Sequence, residues 1–224
     1  MKVGLLHTVP GLAPMFDALV REAVPEADIV HLVNAPLLAA ALTRSPQVVT
    51  ETRESLAALV DLGCAAILVT CSSLGEFATA TDPLGEFGVP LLRVDGPMAL
   101  AAARHAVATG PNGRIVVLAT QPSTLDPSTR LVAEAVAALA ADGSVPTVEG
   151  VLVADAAESL AAGDRDSFER LLRAAATTAA EECVAIVAAQ ASMADVFEDF
   201  DPGVPVFTSP RSGVAALVRI ASTS

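Results

Sequence analysis

The chain has 224 residues, enough to bury a core well above the size at which a domain needs covalent staples. Its 26 acidic and 13 basic residues leave a net charge of −13, which repels a phosphate backbone, and no basic stripe interleaved with aromatics offsets it, so nucleic acid is excluded as a partner. Three cysteines at irregular spacing, Cys64, Cys71 and Cys183, fit neither a disulfide framework nor a zinc site, no apolar run reaches the ~20 residues that cross a bilayer, and nothing at the N-terminus reads as a signal peptide: the expectation is a soluble protein of the reducing cytoplasm, with no membrane partner.

In chain order, short β-branched runs alternate with longer helical patterns. The spacing predicts strands at 2–7, 28–33, 65–70, 89–93, 114–119, 147–153, 184–188 and 204–207. Between the second and third lies a helix over 46–62, with Ser45 as its cap, Pro46 at the first helical position and Gly63 closing the end. Strands alternating with helices imply parallel sheets, so the fold class is α/β.

The chain also repeats itself at about half its length. "KVGLLHTVPGLAP" from Lys2 answers "RIVVLATQPSTLD" from Arg114, with Thr8 matching Thr120 and Pro10 matching Pro122. "CAAILVTCSSLGE" from Cys64 answers "CVAIVAAQASMAD" from Cys183, and "GVPLLRVDG" from Gly88 answers "GVPVFTSPR" from Gly203. Three matched blocks in one order predict two similar lobes, each a parallel sheet flanked by helices, related as a pseudo-two-fold duplication.

Ligands of open parallel sheets gather beyond the carboxyl ends of the strands. Thr8, Asn34, Cys71, Thr120 and Gln190 each end an apolar strand, and two facing lobes would bring them around one ligand cleft. After Cys71, Ser73-Leu74-Gly75-Glu76 reads as a capping box; after Gln190, Ser192-Met193-Ala194-Asp195 is its acidic analogue, with Glu76 and Asp195 assigned to capping. A helix is therefore expected directly after each corner, where its free N–H groups favour a bound carboxylate and lower the pKa of a thiol. Cys71 reads as a reactive thiol by this position, against the alternative of a small buried hydrophobe, whereas Cys64 and Cys183 read as core. His7, ending the first strand, is a candidate base or a structural residue; His31 and His105 carry no companions in sequence. The stretch from Thr120 supplies the hydroxyls of Thr120, Ser123 and Thr124 before Asp126-Pro127 is expected to open a helix. Arg211 reads as an exposed arginine, or as the counter-charge to a second carboxylate.

The duplicated lobes, the strand-end "TCSS", the matching "AAQASMAD" and the "LATQPST" stretch together resemble the aspartate/glutamate racemase superfamily, which includes hydantoin racemases, maleate isomerases and arylmalonate decarboxylases. The resemblance implies a reaction without cofactor or metal. One cysteine from each lobe flanks a substrate carbon next to a carboxylate, which hydroxyls and backbone N–H groups hold. It places Cys71, Ser72 and Ser73 on the first motif and Gln190, Ala191 and Ser192 on the second, with Thr120, Ser123 and Thr124 lining the substrate side of the cleft; Thr8 and Asn34 are assigned to substrate binding by their strand-end positions. His7 falls where glutamate racemases carry an acidic residue, and pairs in that reading with Cys71 as thiolate and imidazolium. The resemblance further implies that the C-terminal segment returns to the first lobe, giving domains 1–95 with 208–224, and 96–207, and it suggests a homodimer.

Gln190 departs from the pattern. An amide does not exchange protons at a useful pKa, so Gln190 does not supply the second acid/base of a symmetrical racemisation; it donates to a substrate oxygen, shapes the pocket, or satisfies loop backbone. The reading in front is a racemase- or isomerase-type enzyme acting at the carbon next to a carboxylate of a small amino acid or dicarboxylate, with Cys71 as the essential thiol. A single-cysteine decarboxylase or lyase of the same superfamily and a small-carboxylate-binding protein without turnover stay open, with a Cys71/His7 hydrolase behind them.

Overall fold

A computed structural model of the chain describes residues 1–81, 85–110, 112–140 and 145–223. The chain divides into two compact units, Met1–Gly96 with Pro210–Ser224, and Pro97–Ser209.

The first unit runs β1 (Lys2–His7), α1 (Ala13–Ala23), β2 (Asp28–Val33), α2 (Pro36–Leu42), α3 (Val48–Asp61), β3 (Ala66–Val69), α4 (Ser72–Thr81) and β4 (Leu91–Arg93). The second runs α5 (Gly96–Thr109), β5 (Arg114–Ala119), α6 (Pro122–Leu139), β6 (Thr147–Leu152), α7 (Ala154–Ala161), α8 (Arg165–Ala180), β7 (Ala185–Ala188) and β8 (Val206–Thr208), after which α9 (Ser209–Ala221) rejoins the first. The sheets have the same order, β2-β1-β3-β4 and β6-β5-β7-β8, and every pairing is parallel. The repeat legible in the sequence is thus a repeat of topology.

Strands buried on both faces need no polar alternation, which is why β3 and β7 read as uninterrupted apolar runs. In the second unit Ile115, Val117, Ala185 and Val187 pack on one side of the sheet, and Val116, Leu118, Ile186 and Ala188 on the other with Phe168 and Leu172. In the first unit Leu6, Ile67 and Val69 meet Leu37, Leu56, Leu59 and Leu74. Burying each Leu or Ile contributes about 1.5–3 kcal/mol. The returning helix α9 comes close to the first sheet because Gly213 lacks a side chain: a Cβ there would lie 2.9 Å from Val94 Cγ2 and 3.0 Å from Val94 O.

Several boundaries differ from those expected. The last strand of each unit begins after a proline, since Pro90 and Pro205 offer no N–H to the ladder, although their carbonyls accept from Ile67 and Ile186. Helix α3 starts at Val48, two residues later than expected: Pro46 and Gln47 form a leading turn closed by Val48 N–H to Ser45 O. At its far end Gly63, with φ +78°, takes the left-handed conformation expected of a closing glycine. Helix α6 opens at Pro122 rather than at Asp126-Pro127, because Pro122 already has the φ of a first helical turn, and Pro127 is carried inside the helix. After Gln190 the chain forms a 3₁₀ helix, Ala191–Phe197, in place of an α-helix.

Candidate active site

In both sheets the chain leaves the first strand toward one edge and returns on its other side, so the crevice between β1 and β3, or between β5 and β7, is where strand order reverses. Thr8 and Cys71 directly follow His7 and Thr70 at the first crevice. Thr120 and Gln190 occupy the corresponding places at the second. Backbone bonds from Thr70 N–H to Leu6 O (3.0 Å) and from Ala189 N–H to Leu118 O (2.9 Å) carry the pairing up to each corner.

The corners are chemically different. In the second unit Gln190 Oε1 accepts from the Thr120 backbone N–H at 2.7 Å and from the Thr120 hydroxyl at 3.0 Å. Both donors of that corner are spent on the amide. In the first unit Thr8 is 3% exposed and its hydroxyl has no partner that meets hydrogen-bond geometry among the described residues. It nonetheless lies close enough to Cys71 to favour the thiolate, as do the backbone N–H groups of Leu74 and Ser73 in the first turn of α4. Burial outweighs these three donors, aided by the negative charge of Asp95, and pushes the Cys71 thiol above its ordinary range. The expectation of a thiol acidified by its helix is therefore corrected: at neutral pH Cys71 is protonated.

Helix α4 begins at Ser72, so Ser73 stands inside its first turn rather than at its cap, and Glu76 accepts from Arg44 at 2.7 Å. Asp195 pairs with Arg165 at 2.7 Å. Ser72 is buried and Ser73 half-buried beside Cys71; Ala191 and Ser192 open the 3₁₀ turn after Gln190; Ser123 and Thr124 lie in the first turn of α6. Asn34 donates from its side chain to Ser55 Oγ at 3.0 Å. Arg211 is exposed and grips Glu22 with two contacts of 3.0 Å.

The pairing of His7 with Cys71 does not form. His7 is 0% exposed, its Nδ1 lies 2.9 Å from Thr70 Oγ1 and its Nε2 lies 3.0 Å from His31 Nδ1. Burial first, and the neighbouring His31 second, lower its pKa to about 4, so it is neutral at pH 7. His31, without companions in sequence, has them in space: its Nε2 is 3.2 Å from Asp17 Oδ1 on α1, and Asp17 is held by Arg21. Another arrangement that sequence reasoning missed is Arg93, which forks onto fully buried Asp95 at 2.7 and 2.8 Å. Gly75 makes room for it, since a Cβ there would stand 2.8 Å from Arg93 Nε. Among the described residues no cluster of three or more His, Cys, Asp and Glu could hold a metal ion, and no helix is long and apolar enough to cross a membrane.

Two α/β units repeating one topology, with a thiol at the strand-end corner of one and an amide at that of the other, define a duplicated protein whose matching corners differ in chemistry. The chain belongs to the Asp/Glu/Hydantoin racemase family, whose model matches residues 6–217. Among solved structures it is similar to glutamate racemase RacE1 from Bacillus anthracis (TM-score 0.69, 15% identity, 99% of this chain and 82% of that one). It is similar also to the aspartate racemase of Picrophilus torridus (TM-score 0.71, 14% identity, 99% and 94%) and to arylmalonate decarboxylase (TM-score 0.55, 19% identity, 99% and 92%). No curated protein matches it in sequence.

Proposed function

We propose that the protein is a cofactor-independent enzyme of racemase or isomerase type, moving a proton at the carbon next to the carboxylate of a small amino acid or dicarboxylate, with Cys71 as the working thiol. The observation that carries this reading is the contrast between equivalent hydroxyls: that of Thr120 is tied to Gln190, whereas that of Thr8 is buried beside Cys71 with no partner that meets hydrogen-bond geometry among the described residues. A buried hydroxyl left unpaired costs about 1–3 kcal/mol, and a substrate carboxylate oxygen would remove that cost. The first turn of α4, with Ser72 and Ser73, directly follows Cys71, and a helix start favours an anion.

The raised pKa of Cys71 suits a proton donor more than a resting thiolate nucleophile, and Gln190 offers no second acid/base. Both features favour one-sided proton delivery over symmetrical racemisation, so a decarboxylase or lyase that protonates an enediolate is the second reading. The structural likeness to arylmalonate decarboxylase is compatible with it. His7, neutral and enclosed, acts in either case as a support for the corner.

Binding is tested by alkylating Cys71 with iodoacetamide in the presence of small amino and dicarboxylic acids. A carboxylate that occupies the corner protects Cys71, and Thr8→Val removes the protection. If nothing in the panel slows alkylation, the carboxylate reading is wrong.

A further inference from the structure

Beneath the Cys71 corner the side chains of Thr70, His7, His31 and Asp17 form one continuous chain of contacts, and its hydrogens can be counted. Thr70 Oγ1 lies 3.0 Å from Leu6 O; the other three links are those from Thr70 to His7, from His7 to His31, and from His31 to Asp17. Each link needs one hydrogen. A carbonyl cannot donate, so the Thr70 hydroxyl proton goes to Leu6 O, and the hydrogen between Thr70 and His7 comes from His7 Nδ1. A carboxylate only accepts, so His31 Nε2 carries a hydrogen toward Asp17. One more hydrogen lies between the two rings. The imidazoles must therefore supply three, and two neutral imidazoles hold two.

We infer that His7 and His31 share one extra proton, carried on His31 against Asp17, and that His31 is thereby a positioning residue for the Cys71 corner. The ring that bears the charge follows from burial: His7 is fully enclosed, while the His31 side chain is 24% exposed and faces a carboxylate. The low pKa of His7, set by burial first and by the neighbouring His31 second, agrees with the charge lying on the other ring. The charged groups against His31 are Asp17 and, through it, Arg21, both on α1; β1 presents His7.

The geometric consequence reaches the site. With the third proton in place, His31 donates to His7 Nε2, His7 donates to Thr70, and Thr70 is free to donate to Leu6 O, so side chains clamp β1 to β3 one residue before Thr8 and Cys71. When the proton leaves, one hydrogen is missing from the chain. His31 then keeps its hydrogen on Nε2 for Asp17, His7 Nε2 must donate to His31, and the Thr70 hydroxyl must turn from Leu6 O to His7 Nδ1. The clamp between the strands loses its bond to the β1 backbone. The protonation state stands independently of any reaction; its effect on reactivity rests on Cys71 being the working thiol proposed above.

Two measurements separate these claims. Nitrogen-15 NMR of the histidine rings, titrated from about pH 5 to about pH 9, reads protons on individual ring nitrogens. The expected result at the acid end is His31 protonated on both nitrogens and His7 neutral with its hydrogen on Nδ1. A neutral His31 throughout, or His7 with its hydrogen on Nε2 at the acid end, overturns the inference. The second measurement is the pH profile of Cys71 alkylation in the wild type and in His31→Gln, whose amide keeps a donor but cannot titrate. A step of about threefold in the wild-type profile, at the midpoint of the His31 titration and absent from the variant, supports the positioning role. Identical profiles reject it, while a Cys71 that no alkylating agent reaches counts against the proposed function and leaves the NMR result to decide the proton count.

Discussion

The side-chain oxygen of Gln190 receives the backbone N–H of Thr120 at 2.7 Å, closing across β5 and β7 the corner whose counterpart across β1 and β3 is formed by Thr8 and Cys71. Gln190→Leu strands a buried N–H and a buried hydroxyl and is expected to destabilise the protein by about 1–3 kcal/mol, measured by urea denaturation. Gln190→Glu keeps the acceptor and retains most of the stability. Equal losses in both variants would mean that the amide oxygen is not what matters.

Thr8 acts on Cys71 in the opposite direction to burial. Thr8→Val removes one group that favours the thiolate and moves the thiol pKa further up. The chain has no Trp or Tyr, so the ultraviolet absorbance of the thiolate is measured against a low background. At a fixed pH below the midpoint, the variant is expected to show about threefold less Cys71 thiolate than the wild type, after subtraction of a Cys71→Ser control.

His7 couples the first unit to pH. Its ordinary pKa is 6.5 and its folded value about 4, so between these the unfolded chain binds a proton that the folded chain refuses. The contribution of neutral His7 is fully present above pH 6.5 and is lost as pH falls toward 4, amounting to about 3 kcal/mol. Stability measured in urea across that range should fall more steeply in the wild type than in His7→Gln, which keeps a polar side chain and has no such proton to bind.

Asp95 is fully buried and is held by the Arg93 fork. Arg93→Met leaves its carboxylate uncompensated and is expected to cost about 3–5 kcal/mol, while the double variant Arg93→Met with Asp95→Leu loses less. A double-mutant cycle followed by thermal denaturation checks the sign of the coupling.

Much of this was legible in the sequence, for identifiable reasons. Parallel strands buried on both faces leave apolar runs such as "AILV" and "AIVA", and duplication places Thr8 and Thr120, or Cys71 and Gln190, at equal offsets. What escaped depends on register and burial. His31 meets His7 only because Leu5 stands opposite His31 in the β1–β2 pairing, which puts His7 two residues further along the same face. The helix start after Cys71 suggested an acidified thiol, but desolvation is stronger there than the helix end, and sequence does not report desolvation. The 3₁₀ turn after Gln190 likewise hides behind a pattern that resembles a capping box.

The central claim is that Cys71 moves a proton at a carbon beside a carboxylate. Its most direct measurement is proton NMR of small amino and dicarboxylic acids, malonates included, incubated with the protein in deuterium oxide. Deuterium is expected at that carbon for at least one compound, by exchange or by decarboxylation, and no such signal with Cys71→Ser. Deuterium uptake that persists undiminished in Cys71→Ser would contradict it.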